Sequence, residues 1–120
     1  NTVRKMNISS LLMVNVSNDT WFGNSIGPYH HLSIARVRAI ENNRYTIRST
    51  NDGISAIITN NGTVVSFIEK GKSGILEGNV KFISKRTFYS QIGYLFFISL
   101  SFIIVSIPFL KILWKKILKS

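Results

Sequence analysis

The stretch S-N-D-T-W-F-G-N-S-I-G-P-Y-H-H, residues 17–31, brings both histidines, an aspartate and a Trp-Phe pair together between two apolar segments. Three chemistries can be tested on it. His30 and His31 are adjacent, so on a helix they point about 100° apart and cannot share a metal; no third ligand lies at zinc-site spacing, and no metal is expected. Ser17, Asp19 and His31 can be drawn as a triad, but nothing around Ser17 resembles a nucleophile elbow, so that reading is rejected. The chain has no cysteine, which removes a thiolate nucleophile, a thiolate metal site and a disulfide framework from these residues. What remains is a lining role. Trp21 and Phe22 sit in a polar, Gly-bounded loop after a strand, where α/β sheets place their sites, although a plain core role is the alternative. Asn18, Asp19 and His31 complete the set of pocket candidates.

These residues need elements to position them. I-S-S-L-L-M-V-N-V, 8–16, is predicted as a strand buried on both faces. Pro28 suits the first turn of a helix, and residues 28–43 place Leu32, Ala35 and Ala39 on one face with Val37 and Ile40 beside it. Arg38 and Glu41 stand one turn apart and are read as a structural ion pair; Asn43 suits a left-handed helix end. Strands are expected at 45–50, 54–59, 63–69 and 74–80. N-D-G at 51–53 gives Asn51 and Gly53 turn roles, and N-N-G at 60–62 marks a hairpin. Strand, helix, then several strands imply an α/β layer with a partly antiparallel end.

From Thr87 to Leu110 there is no charged residue. As one helix that run spans roughly 36 Å, enough for a hydrocarbon core of about 30 Å. The expected organisation is therefore a soluble part over 1–86, a transmembrane helix over 87–112 and a basic cytoplasmic tail over 113–120. The formal net charge of +10 invites a nucleic-acid partner. Its distribution opposes one, because Lys111, Lys115, Lys116 and Lys119 cluster behind the apolar run and the other cations are scattered.

Residues 16–58 resemble the C-terminal part of the apolipoprotein N-acyltransferases, members of the nitrilase, or carbon–nitrogen hydrolase, superfamily. The resemblance rests on Ser17-Asn18-Asp19-Thr20-Trp21-Phe22-Gly23, Gly27-Pro28-Tyr29-His30-His31, Ala35-Arg36-Val37-Arg38-Ala39-Ile40-Glu41 and Thr50-Asn51-Asp52-Gly53. Thr20, His30 and Asp52 depart from the family pattern, which tends to Ala, Gln and Asn there. The fold implied is the C-terminal part of a nitrilase-like α-β-β-α sandwich followed by one transmembrane helix.

The activity implied is acyl transfer from a phospholipid, through a Cys thioester, to the α-amino group of a lipoprotein's lipidated N-terminal cysteine, with no cofactor. The family's Glu base, oxyanion-stabilising Lys and Cys nucleophile map onto none of these residues and are expected upstream of residue 1. The chain alone is thus expected to be inactive, and its partners to be the missing N-terminal part, the phospholipid donor, the apolipoprotein N-terminus and the membrane. The resemblance implies a bacterial inner membrane location with the nitrilase-like part periplasmic and the C-terminus cytoplasmic. A membrane-anchored nitrilase-type amidase fragment and a non-enzymatic tail-anchored membrane protein are the competing readings.

Overall fold

The computed structural model describes residues 2–117. In chain order these form α1 (Thr2–Met6), β1 (Met13–Asn18), a 3₁₀ turn (Thr20–Phe22), α2 (Gly27–Asn42), β2 (Thr46–Asn51), β3 (Ser55–Ile58), β4 (Val64–Ile68), α3 (Phe88–Ile92) and α4 (Tyr94–Ile117). The four strands make one sheet in the order β1-β2-β3-β4. β1 and β2 run parallel, with Met13 opposite Thr46 and Asn18 opposite Asn51. Parallel neighbours need a crossover, and α2 supplies it. β3 and β4 then follow antiparallel, with an irregularity between Ile57 and Ile58. The architecture is mixed α/β, as the order of elements implies.

Helix α2 starts with Pro28 in its first turn and ends at Asn43, whose left-handed backbone (φ 52°) lets its N–H reach the carbonyls of Ala39 and Ile40. Its buried stripe holds Pro28, Ala35, Ala39 and Asn42. Small side chains at two of these positions let the helix lie close to the sheet, where Ala35 and Ala39 join Met13, Ala56 and Ile58, with Leu32 and Val64 packed against them. Val37 and Ile40, beside that stripe, stay half exposed. Arg36 Nε donates to the Gly62 carbonyl at 2.8 Å, tying the outer side of the helix to the β3–β4 turn.

The strand expected over 8–16 begins only at Met13, and it is not buried on both faces. α2 covers one face of the sheet, so burial along β1 alternates: Met13 is inside, while Val14 and Val16 are 68% and 77% exposed on the other face. The segment 74–80 pairs with no strand among the described residues. It runs extended across that second face instead. A Cβ on Gly78 would fall 2.7 Å from Ile57 Cδ1, and one on Gly74 would fall 3.6 Å from Ile68 Cδ1. This strap buries Ile57 and leaves the β1 end of the face open.

Arg44 fastens the strap's far end. Its side chain is buried, with Nε donating to the Ser10 carbonyl at 2.7 Å. Nη1 donates to the carbonyls of Asn43 at 3.0 Å and Lys85 at 2.8 Å. Asn43 Nδ2 adds a second bond to Lys85 O at 3.0 Å, and the Ile83 N–H reaches Leu11 O at 3.3 Å. Burial lowers the Arg44 pKa, with the nearby Arg86 charge acting in the same sense.

The single helix expected over 87–112 is broken. Thr87 caps α3, its hydroxyl accepting from Ser90 N at 2.9 Å. Gly93 (φ 79°) then ends that helix, and its Cα lies so close to Arg4 that an added Cβ would sit 2.9 Å from Cζ. Helix α4 starts afresh at Tyr94. Its charge-free part, to Leu110, is only roughly 25 Å long at 1.5 Å per residue. Among the described residues no helix is long and apolar enough to cross a membrane. The last three residues of the basic tail lie outside the described residues.

Candidate functional site

Because β1 and β2 are parallel, the loops that leave them meet at one end of the sheet. The Asp19 N–H extends the ladder by donating to Asn51 O at 3.0 Å. The chain then tightens into the 3₁₀ turn, organised from Asn18. Its side-chain oxygen accepts from Thr20 N at 3.2 Å, and its carbonyl accepts from the Trp21 indole N–H at 2.9 Å. Asn51 Nδ2 approaches the same Asn18 side-chain oxygen at 3.5 Å from β2.

Asp19 is fully buried. Arg48 Nη2 donates to its Oδ2 at 2.8 Å; Ser17 Oγ and His31 Nδ1 meet Oδ1 at 3.0 and 2.8 Å. An ionised carboxylate only accepts, so His31 Nδ1 is the donor in this contact. Arg48 is 1% exposed. Besides Asp19 it holds the Asn15 side-chain oxygen at 2.5 Å and the Ile54 carbonyl at 3.3 Å. Burial lowers the Arg48 pKa, while the Asp19 charge and its hydrogen bond push it back up. A buried cation with each of its three nitrogens bonded is tolerated; the same cation alone is not.

Two glycines make room. Gly53 faces Asp19 so closely that a Cβ would lie 2.4 Å from Oδ2; the positive φ in this turn belongs to Asp52 (54°) instead. The Asp52 carboxylate is met by Lys70 Nζ at 3.4 Å. Gly27 faces Phe22, where a Cβ would fall 2.1 Å from the ring. Phe22 stacks on Trp21 with centroids 3.9 Å apart and meets the edge of His31 at 5.9 Å. Gly27→Ala will therefore displace the Phe22 ring and cost about 1–3 kcal/mol, as overpacking does. Trp21 fluorescence, recorded with Trp114 replaced by Phe, will report the lost stacking; an unchanged spectrum contradicts this packing.

A groove of about 380 Å³ opens between β1, α1 and α2, with Met6, Met13 and Ile34 as apolar lining and His31, Arg38 and Thr46 as polar lining. The Thr46 hydroxyl is buried without a hydrogen-bond partner among the described residues. Arg38 bonds Glu41 across one turn of α2, and the Glu41 carbonyl accepts from the Thr87 hydroxyl.

Asn18, Asp19, Trp21, Phe22 and His31 thus form one connected cluster. Asn51 borders it and Gly53 floors it. Trp21 is 75% exposed and lies on the rim. His30 is exposed and outside the network. Among the described residues, no group of three or more His, Asp or Glu is arranged to hold a metal ion. Arg48, the partner that anchors Asp19, is absent from the sequence-based candidates. Its signal was the alternation Thr46, Arg48, Thr50 on the interior face of a strand paired in parallel with the one leading to Asp19.

The carbon-nitrogen hydrolase family model matches residues 5–84, which contain the whole sheet and the Asp19 cluster. The chain belongs to the carbon–nitrogen hydrolase family. Within this family it is similar to proteins named apolipoprotein N-acyltransferase. The Shewanella oneidensis protein is 36% identical over 88 residues, covering 73% of this chain and 17% of its own length. The Pseudomonas aeruginosa protein is 48% identical over 71 residues, covering 59% and 14%. The Photobacterium profundum protein is 39% identical over 92 residues, covering 76% and 18%. This carbon–nitrogen hydrolase chain therefore spans less than a fifth of the length of the relatives it matches.

Proposed function

We propose that this chain is the C-terminal portion of an apolipoprotein N-acyltransferase. The observation that carries the reading is the Ser17–Gly23 motif folded around the buried Asp19–Arg48 pair, inside a segment similar to proteins of that name. In the complete enzyme a glutamate takes the cysteine thiol proton as the sulfur attacks a phospholipid ester, and returns it to the departing alkoxide as the thioester forms and the lysophospholipid leaves. The α-amino group of the lipoprotein's terminal cysteine then attacks the thioester carbonyl. An amide forms, the thiolate leaves, and a glutamate takes the proton from the nitrogen. The nucleophile has no counterpart in this chain, and covalent transfer cannot proceed without one.

The role of these residues is to form a wall of the pocket. Trp21 and Phe22 offer apolar surface to an acyl chain, and Asn18, Asp19, His31 and Arg48 hold the loop in place. Both substrates reside in lipid, so the pocket belongs at bilayer level. Helix α4 suits that position. Leu95, Ile98, Phe102 and Val105 are all exposed, as are Phe96, Ile103 and Ile104 on other sides; a helix apolar all round needs cover, which lipid at this depth supplies. The hydroxyls of Ser101 and Ser106 are satisfied by the carbonyls of Phe97 and Phe102 at 2.9 and 2.7 Å. On this reading the sheet faces the periplasm of a bacterial inner membrane.

The test is a graft. Residues 1–120 replace the matching C-terminal segment of the Shewanella oneidensis relative, and conversion of a diacylated lipopeptide to the triacylated form is measured. The graft will produce it and the 120-residue chain alone will not. Product from the chain alone, or none from a graft that folds in the membrane, contradicts the proposal.

A further inference from the structure

The strap and the short helix that follows it present a surface the acyl-transfer reading does not use. Residues 83–85 are held through their backbone: Ile83 N–H by Leu11 O, and the carbonyls of Ser84 and Lys85 by Arg44 at 3.4 and 2.8 Å. With the backbone held inward, the side chains turn outward. Phe82 is 70% exposed and Phe88 58%, and Lys81 and Lys85 are exposed as well. Among the described residues neither lysine makes an ion pair, whereas Lys70 and Lys72 nearer the sheet are matched by Asp52 and Glu69. The patch is continuous with α4, because Phe88 packs edge-on against Phe96 at 5.9 Å and Phe97 at 6.4 Å. Thr87 joins the same place to α2 through the Glu41 carbonyl.

Exposed aromatics alternating with unmatched cations, at the root of an apolar helix, are what a membrane–water interface selects. The Phe rings bury apolar area at the boundary of headgroups and acyl chains, and the ammonium groups meet lipid phosphates. We propose that residues 81–88 form an interfacial collar that docks on anionic phospholipid headgroups and so fixes the tilt of the sheet over the bilayer. The collar rests on the membrane placement of α4 proposed above. It adds a lipid class and a second point of attachment, separate from the acyl-donor pocket.

The chain has no cysteine, so Phe82→Cys and Phe102→Cys each give one thiol for an environment-sensitive fluorophore. The full 120-residue chain is placed in vesicles of phosphatidylcholine alone, or with phosphatidylglycerol added. The probe at 102 will read a dry environment in both. The probe at 82 will dry only when phosphatidylglycerol is present. Lys81→Gln with Lys85→Gln will weaken that docking, roughly fivefold for each cation removed, and leave the probe at 102 unmoved. A probe at 82 that stays wet in phosphatidylglycerol, with 102 dry, overturns the collar and leaves the membrane placement standing. Equal drying at 82 in both vesicles overturns the anionic partner. A wet probe at 102 in both overturns the membrane placement, and the collar with it.

Discussion

Asp19→Ala, in a graft that contains this segment, will lose about 3–5 kcal/mol of folding free energy, the cost of leaving a buried charge without its partner. The variant strands Arg48, which is 1% exposed, and it also removes the acceptor of Ser17 and His31. Domains are stable by only about 5–15 kcal/mol, so a loss of this size brings the fold near its limit. Arg48→Ala will lose a similar amount by stranding Asp19. Replacing both at once, Asp19→Leu with Arg48→Met, will recover a large part, because apolar residues of similar volume need no partner. Urea unfolding of the parent, Asp19→Leu, Arg48→Met and the double variant closes a double-mutant cycle that measures this. Losses that simply add, or single losses under about 1 kcal/mol, would show that the pair does not hold the loop.

Trp21→Ala separates the other way. The indole makes one hydrogen bond, to the Asn18 carbonyl at 2.9 Å, and one stacking contact, with Phe22. Three quarters of the residue is open to solvent, so folding draws little from it. An acyl chain laid over this ring would cover an apolar area worth about 1.5–3 kcal/mol. Acyl transfer in the graft should therefore fall about 10- to 100-fold while the unfolding midpoint moves little. Parallel losses of activity and stability would return Trp21 to a packing role.

Helix α2 could be read before the structure because its signals agree: Pro28 opens it, Ala35 and Ala39 keep a helical period, and Asn43 tolerates a left-handed end. The parallel pairing of β1 with β2 also follows from strand, helix, strand. The fate of 8–16 did not, since hydrophobicity alone cannot distinguish two covered faces from one. Val14 and Val16 lie on the face that α2 does not reach. The strap failed for a related reason: I-L-E-G-N-V has strand-like residues, yet what it contacts is the face of the sheet rather than an edge. At Gly93 a single residue interrupts a run that is free of charge throughout. Its sign is conformational, a positive φ of 79°, and absence of charge alone does not reveal it. The cluster was visible through its loop residues; Arg48 was hidden because a lone cation within a strand looks like a solvated one until its neighbours are known.

The guanidinium of Arg44 reaches three stretches of chain far apart in sequence, near positions 10, 43 and 85. A protease that cuts the exposed turn at Gly71 would leave two fragments still clasped by that one side chain and by the seam of strap on sheet. Under native conditions the nicked protein should migrate as a single species, and it should come apart only when denaturant loosens the clasp.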